Sequence, residues 1–279
     1  MKKFLRRFKF LRDVKRVINA HRLSQPTKPV SVGRHFFWPE GATGVVSLSY
    51  DDGLTNHLEV VAPVLEVAGL RGTFYAHIMS DEFQKDQAGW RALAARGHEV
   101  GNHTVFHPCR NNPGIHPEFD LRRYGERRWC KEIELANWLL GQLDGQAERT
   151  FGNTCWDNWI GPDDAQICLE QLIARYFPAA RGEQTGRPVD PKSFNRYNLG
   201  TASADGKTFA ELQPFIEAAV RDGQWLILTL HGIGAGSHTL FMEPADHQAL
   251  VDWLAANRRR IWTAPVLAVS RHLLQHVKY

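Results

Sequence analysis

The sequence predicts an α/β fold built on parallel strands, and three observations carry that prediction. Short apolar strand runs alternate with helical stretches from Gly44 to the C-terminus. Such repeated β–α alternation brings successive strands parallel, closed into a barrel or doubly wound. The residues that carry chemistry are Asp51 and Asp52, His103 and His107, the 153–157 segment, and His231. Each follows the C-terminal end of a predicted strand, where the sites of α/β barrels collect. The first such turn, Asp51-Asp52-Gly53-Leu54, is not the glycine-rich phosphate turn of a doubly wound nucleotide fold. A barrel therefore fits better.

The elements follow in order. Residues 44–49 read as a buried strand and 57–68 as a helix stopped by Gly69. Residues 73–78 form a second strand, 87–95 a helix stopped by Gly97, and 99–103 a third strand. A long helix over 119–143 precedes a fourth strand near Thr150. Helices are expected over 164–176 and 208–221, and the run Trp225-Leu226-Ile227-Leu228-Thr229-Leu230 is the clearest strand of the chain. Helices over 243–258 and 267–276 flank a short strand at 261–263.

A chain of 279 residues buries about three quarters of its unfolded surface in one core. With 43% hydrophobic and 23% charged residues it has an ordinary globular composition. No run of apolar residues is long enough to span a membrane as a helix. Cys109, Cys130, Cys155 and Cys168 show no C-x-x-C spacing, so reduced, mostly buried thiols are expected. Charge is uneven: residues 1–22 hold nine of the 34 Lys and Arg but one of the 30 Asp and Glu, so the rest is net acidic. That excludes nucleic acid as a partner of the body, because phosphate binding needs a basic stripe on the folded face.

The basic leader shows helical periodicity, with Phe4, Phe8, Leu11, Val14 and Ile18 on one side. Charges interrupt it throughout, so it lacks the apolar core of a signal peptide and a cytoplasmic location is expected. Such a helix suits peripheral contact of residues 1–20 with the anionic inner face of a membrane. It equally suits a helix docked on its own barrel, or a disordered tail. Division into a leader and linker, 1–35, and a catalytic domain, 36–279, is expected.

Chemistry concentrates in two motifs. His103 and His107, four apart in His-Thr-Val-Phe-His, are expected on one side of a helical turn that Pro108 ends, close enough to bind one cation. Asp51 and Asp52 supply what a hydrolytic site still lacks, a third ligand and a base for the attacking water. Two histidines and one carboxylate suit zinc first, with cobalt, nickel or iron fitting the same ligands.

These residues resemble the polysaccharide deacetylases, the NodB-homology group or carbohydrate esterase family four. Ser49-Tyr50-Asp51-Asp52-Gly53 resembles the family's first motif, and Gly97-His98-Glu99-Val100-Gly101-Asn102 leads into its His-Thr-x-x-His motif as is frequent there. Arg71-Gly72-Thr73-Phe74-Tyr75 resembles its second strand, and Leu230-His231-Gly232 falls where its Leu-x-His histidine is sought. The resemblance implies a distorted, incomplete (β/α) barrel of the polysaccharide deacetylase type. It implies Asp51 as general base, Asp52, His103 and His107 as ligands of a divalent metal, and His231 as general acid. The implied reaction removes N-acetyl groups from an amino-sugar oligosaccharide or polysaccharide. A backbone N–H near Trp156 is the candidate oxyanion donor, and Tyr50, Trp156 and Trp159 are candidates to stack on a sugar.

The third motif departs from the family. Gly152 stands where the family has an arginine that orients the catalytic Asp, within Phe151-Gly152-Asn153-Thr154-Cys155-Trp156-Asp157. Arg149 is expected on the strand face of Gly152 but deeper in the barrel, and Asp157 or Asp190 is expected to orient His231. The other ten histidines, His35, His77, His116 and His272 among them, read as surface or core. Two rival functions are an O-acetyl esterase and a non-catalytic glycan-binding protein on the same scaffold.

Overall fold

The computed structural model describes residues 22–278; the basic leader lies outside the described residues. Eight parallel strands form the main sheet: β1 Gly44–Asp51, β2 Thr73–Ala76, β3 Glu99–Asn102, β4 Phe151–Gly152, β5 Ala180–Arg181, β6 Ala202–Ser203, β7 Trp225–Leu230 and β8 Ile261–Thr263. Their order is β5-β4-β3-β2-β1-β7-β6. On the side of β1 away from β7, β8 pairs with its first residues and β2 with its last. The outer strand β5 meets the segment leading into β6 at one parallel bridge, Arg181 to Leu199. This curled, incompletely joined sheet is the expected incomplete barrel.

Strand β1 is buried along its whole length, as parallel strands covered on both faces are. Val46, Leu48 and Tyr50 pack outward in a cluster with Leu65, Leu212, Ile216 and Phe74. Ser47 and Ser49 point inward, to Ala264 O and Leu228 O at 2.7 and 2.8 Å. The same period-two alternation puts Asp51 inside the barrel and Tyr50 outside it.

Several helices are shorter than their periodicity suggests. The long helix begins at Glu126, because Asp120 caps a tight turn first, its side chain accepting from Arg122 N at 2.8 Å. Of 164–176 only Leu169–Ile173 is helical, since Ile167–Cys168 pairs with Trp159–Ile160 instead. Residues 27–32 lie against the body: Thr27 donates to Glu170 from both N and Oγ1, and Ser31–Val32 pairs with Val277–Lys278. The expectation of four reduced cysteines is corrected. Cys109 and Cys155 form a disulfide, and Cys130 and Cys168 are free and buried. Pairing of β3 with β4 brings the loops that follow them together, a contact that spacing of 46 residues does not reveal.

Candidate active site

Strand β1 delivers two carboxylates in a row to the barrel mouth. Alternation alone would send Asp52 outward with Tyr50. Asp52 instead takes a left-handed φ of 80°, a conformation that Asp tolerates better than most residues. The turn lets its carboxylate meet the histidines beyond β3.

Those histidines are not on a helical turn, which corrects the sequence expectation. Thr104 and His107 have φ of 71° and 51°, so the segment is a bent loop. It is held from outside. Buried Glu132 accepts the N–H groups of Val105 and Phe106 at 3.2 and 3.1 Å, and Asn102 Oδ1 accepts that of Thr104 at 2.8 Å. The loop still brings the two imidazole centroids to 4.9 Å.

Hydrogen bonds orient the two rings. His103 Nδ1 lies 2.8 Å from the Gly152 carbonyl, which can only accept, so Nδ1 carries a proton and the neutral ring turns its Nε2 lone pair to the site. His107 Nδ1 lies 3.6 Å from Cys109 Sγ, a disulfide sulfur without a proton. That contact leaves Nε2 turned to the site. Both point at Asp52 Oδ1, at 3.5 and 3.2 Å. Asp52 Oδ1 is buried and has no hydrogen-bond partner among the described residues. The three ligand atoms lie within 4.8 Å of one another, close enough to share one cation. Asp52, His103 and His107 thus fit a divalent ion.

Asp51 answers the question raised by Gly152. Arg181, at the end of β5, donates Nη1 to Asp51 Oδ1 at 2.7 Å and Nη2 to Oδ2 at 2.6 Å. Arg181 is fully buried, with Ser49 and Thr229 hydroxyls on Nη1 and its guanidinium over the Tyr75 ring at 4.7 Å. A Cβ at Gly152 would lie 2.8 Å from the Tyr75 ring and 3.1 Å from Arg181 Nη2. Glycine is therefore required where the arginine of the neighbouring strand crosses. Burial alone would raise the Asp51 carboxyl, but the Arg181 guanidinium, with His103 and His231, holds it below its ordinary value. Asp51 stays ionised at neutral pH. Arg149 instead pairs with Asp144 at 3.0 Å; it precedes Gly152 by three positions, an odd offset that puts it on the opposite strand face.

The partner of His231 is Asp205, rather than Asp157 or Asp190. Asp205 Oδ1 accepts the backbone N–H of His231 at 2.9 Å and Oδ2 accepts Nδ1–H at 2.8 Å, leaving Nε2 for a substrate. Asp157 is engaged by Arg110 N and Asp190 by Lys192 N. Burial alone would lower the His231 imidazole, but the Asp205 hydrogen bond and the charge of Asp51 outweigh it and raise it. Buried His57 bonds the His231 carbonyl through Nε2 at 3.0 Å; burial pushes it down to about 4, so it is neutral.

Two further residues differ from their sequence reading. Tyr50 is fully buried, stacked on Phe74 and bonded to His247 Nε2 at 2.9 Å, so it offers no face to a sugar. His77, read as surface or core, packs its ring 5.5 Å from that of His107. Trp156 is half-buried in the 3₁₀ turn Thr154–Trp156, with a left-handed φ of 56°. Arg181 and Asp205 escaped the sequence reading. For Asp205 a signal existed, since Ala202-Ser203-Ala204-Asp205-Gly206 repeats the strand-then-Asp-Gly pattern of Asp51-Asp52-Gly53. Arg181 sits on a strand of two residues and left no such trace.

An ionised carboxylate and a raised imidazole thus lie beside three side chains close enough to hold one cation, all at one barrel mouth. Residues 39–153 match the family model described as polysaccharide deacetylase. A gellan lyase from a Bacillus species is 34% identical over 166 residues, which are 60% of this chain; the chain spans only 6% of that protein. Among solved structures, a polysaccharide deacetylase from Mycobacterium smegmatis superposes with a TM-score of 0.57 at 17% identity, covering 90% of this chain and 95% of that one. One from Pseudomonas aeruginosa PAO1 gives 0.58 at 14%, covering 85% and 93%. Puue allantoinase gives 0.57 at 15%, covering 84% and 91%. The shared feature at these identities is the fold, which serves more than one substrate.

Proposed function

We propose that this protein is a metal-dependent hydrolase that removes N-acetyl groups from an amino-sugar glycan, leaving a free amine and acetate. The observation that carries the reading is the convergence of the His103 and His107 Nε2 atoms on the orphaned Asp52 oxygen, with ionised Asp51 beside them. A divalent cation bound there supplies Lewis-acid polarisation of the acetyl carbonyl and acidifies water. Asp51, kept ionised by Arg181, takes the proton from the attacking water. The backbone N–H of Trp156 is the candidate donor to the developing oxyanion. His231, held by Asp205, gives its proton from Nε2 to the departing nitrogen, which leaves poorly until protonated. The gellan lyase takes its name from a polysaccharide, and a glycan is proposed here as well. Zinc is the proposed ion, and action on the cytoplasmic side is the proposed location. No helix among the described residues is long and apolar enough to cross a membrane.

The reading is tested by variants read for metal and rate separately. His103→Ala and His107→Ala should each lose stoichiometric zinc. Asp51→Asn should keep zinc and lose turnover by about 10²–10⁴-fold, the usual contribution of a general base. An Asp51→Asn protein with near-native turnover sinks the base assignment.

The raised imidazole sets a pH test. A raised pKa means that the acid form is present below it and is lost as pH rises through it. Asp205→Asn removes the hydrogen bond that raises His231, so the falling limb of the amide pH–rate profile should move to lower pH. If the limb stays in place, His231 is not the acid.

A further inference from the structure

His238 lies on the loop between the paired segments Gly232–Ile233 and Phe241–Met242. Its ring stacks on that of His231, with centroids 5.0 Å apart and planes 7° from parallel. Its Nε2 faces Asp52 Oδ2 at 3.5 Å, across the carboxylate from the atom that meets His103 and His107. Nδ1 lies against the backbone of Leu240, 3.0 Å from its N and 3.1 Å from its O. With Nδ1 accepting from Leu240 N, the neutral ring turns its Nε2–H toward the carboxylate. The loop is built to hold this pose. Ser237 Oγ donates to Gly234 O at 2.6 Å, and a Cβ at Gly232 would sit 3.0 Å from Ser237 Cβ and 3.1 Å from His238 Cβ. Only glycine after His231 lets the loop fold back so far.

We propose that His238 is a positioning residue of the cation site. It engages Asp52 Oδ2 and so commits Oδ1 alone to the cation, while its ring keeps that of His231 in plane. This rests on the cation reading given above. Outer partners that orient a metal-binding carboxylate contribute to metal affinity without touching the ion. The sequence offers no trace of the role, since Ser-His-Thr in a glycine-rich loop reads as surface.

Two substitutions separate the parts. His238→Phe keeps a ring against His231 but loses the N–H, and His238→Gln keeps an N–H donor but loses the ring. Zinc affinity is measured by competition with a chromophoric chelator, with the thermal midpoint of each metal-free protein as the folding control. His238→Phe should bind zinc about 10–100-fold more weakly, while His238→Gln should lose much less. Should the Phe variant not fold, His238→Leu takes its place. The proposal is overturned if the Phe (or Leu) variant binds as wild type does, or if it and the Gln variant are equally weakened. A wild-type chain that binds no zinc overturns it together with the cation reading. One that binds zinc but releases no acetate overturns the deacetylase function and leaves the role of His238 standing.

Discussion

Arg181→Met should abolish turnover and destabilise the protein by about 3–5 kcal/mol, the range for removing one partner of a buried ion pair. Both arginine nitrogens that bond Asp51 are out of reach of water, and Asp51 itself is buried. Without the guanidinium, an ionised Asp51 has no compensating charge at that depth, so the carboxyl takes up a proton and ceases to be a base. Adding Asp51→Asn to Arg181→Met should recover part of the stability, because the stranded charge is gone, while turnover stays lost. Urea denaturation of the two singles and the double measures this coupling. An Arg181→Met protein with wild-type stability and rate would mean that something else neutralises Asp51.

Gly152→Arg, which reinstates the residue that the deacetylase resemblance leads one to seek there, should inactivate the enzyme. The first added atom already falls 2.8 Å from the Tyr75 ring and 3.1 Å from Arg181 Nη2, and a whole guanidinium cannot share that space. The Gly152 carbonyl also fixes the His103 ring, so a shift of β4 reaches the cation cluster as well. Overpacking of a well-filled site costs about 1–3 kcal/mol and sometimes more. Thermal unfolding and acetate release together read the result. A gain in rate would show that the native site is impaired and would favour the glycan-binding rival.

What was legible in the sequence was whatever the backbone period and the local motif determine together. Strand Trp225–Leu230, the helix Gln87–Ala95 and the short strand Ile261–Thr263 come out at the expected residues, because an unbroken apolar run or a clear stop defines each. The pairs Asp51/Asp52 and His103/His107, and His231, stood out as candidates because each follows a strand within a recognisable pattern. What escaped was set by contacts between strands far apart in sequence. Arg181 reaches Asp51 across 130 positions, Asp205 reaches His231 across 26, and Cys109 finds Cys155 across 46. No local period encodes which strands become neighbours. Tyr50 was misplaced for a different reason: its neighbour Asp51 faces the barrel interior, and pleating sends adjacent side chains to opposite faces.

In the proposed function, one cation cluster and one arginine-held carboxylate cleave an acetyl amide. The most direct measurement is acetate release by the zinc-loaded full-length chain from N-acetylated glycans, covering chitooligosaccharide, peptidoglycan, exopolysaccharide and lipid-linked substrates, beside O-acetylated controls and the Asp51→Asn protein. Acetate and free amine should appear in equal amounts from at least one N-acetylated class, vanish when a chelator strips the zinc, and be absent with Asp51→Asn. Release from the O-acetylated controls alone, or release that Asp51→Asn retains, would contradict it.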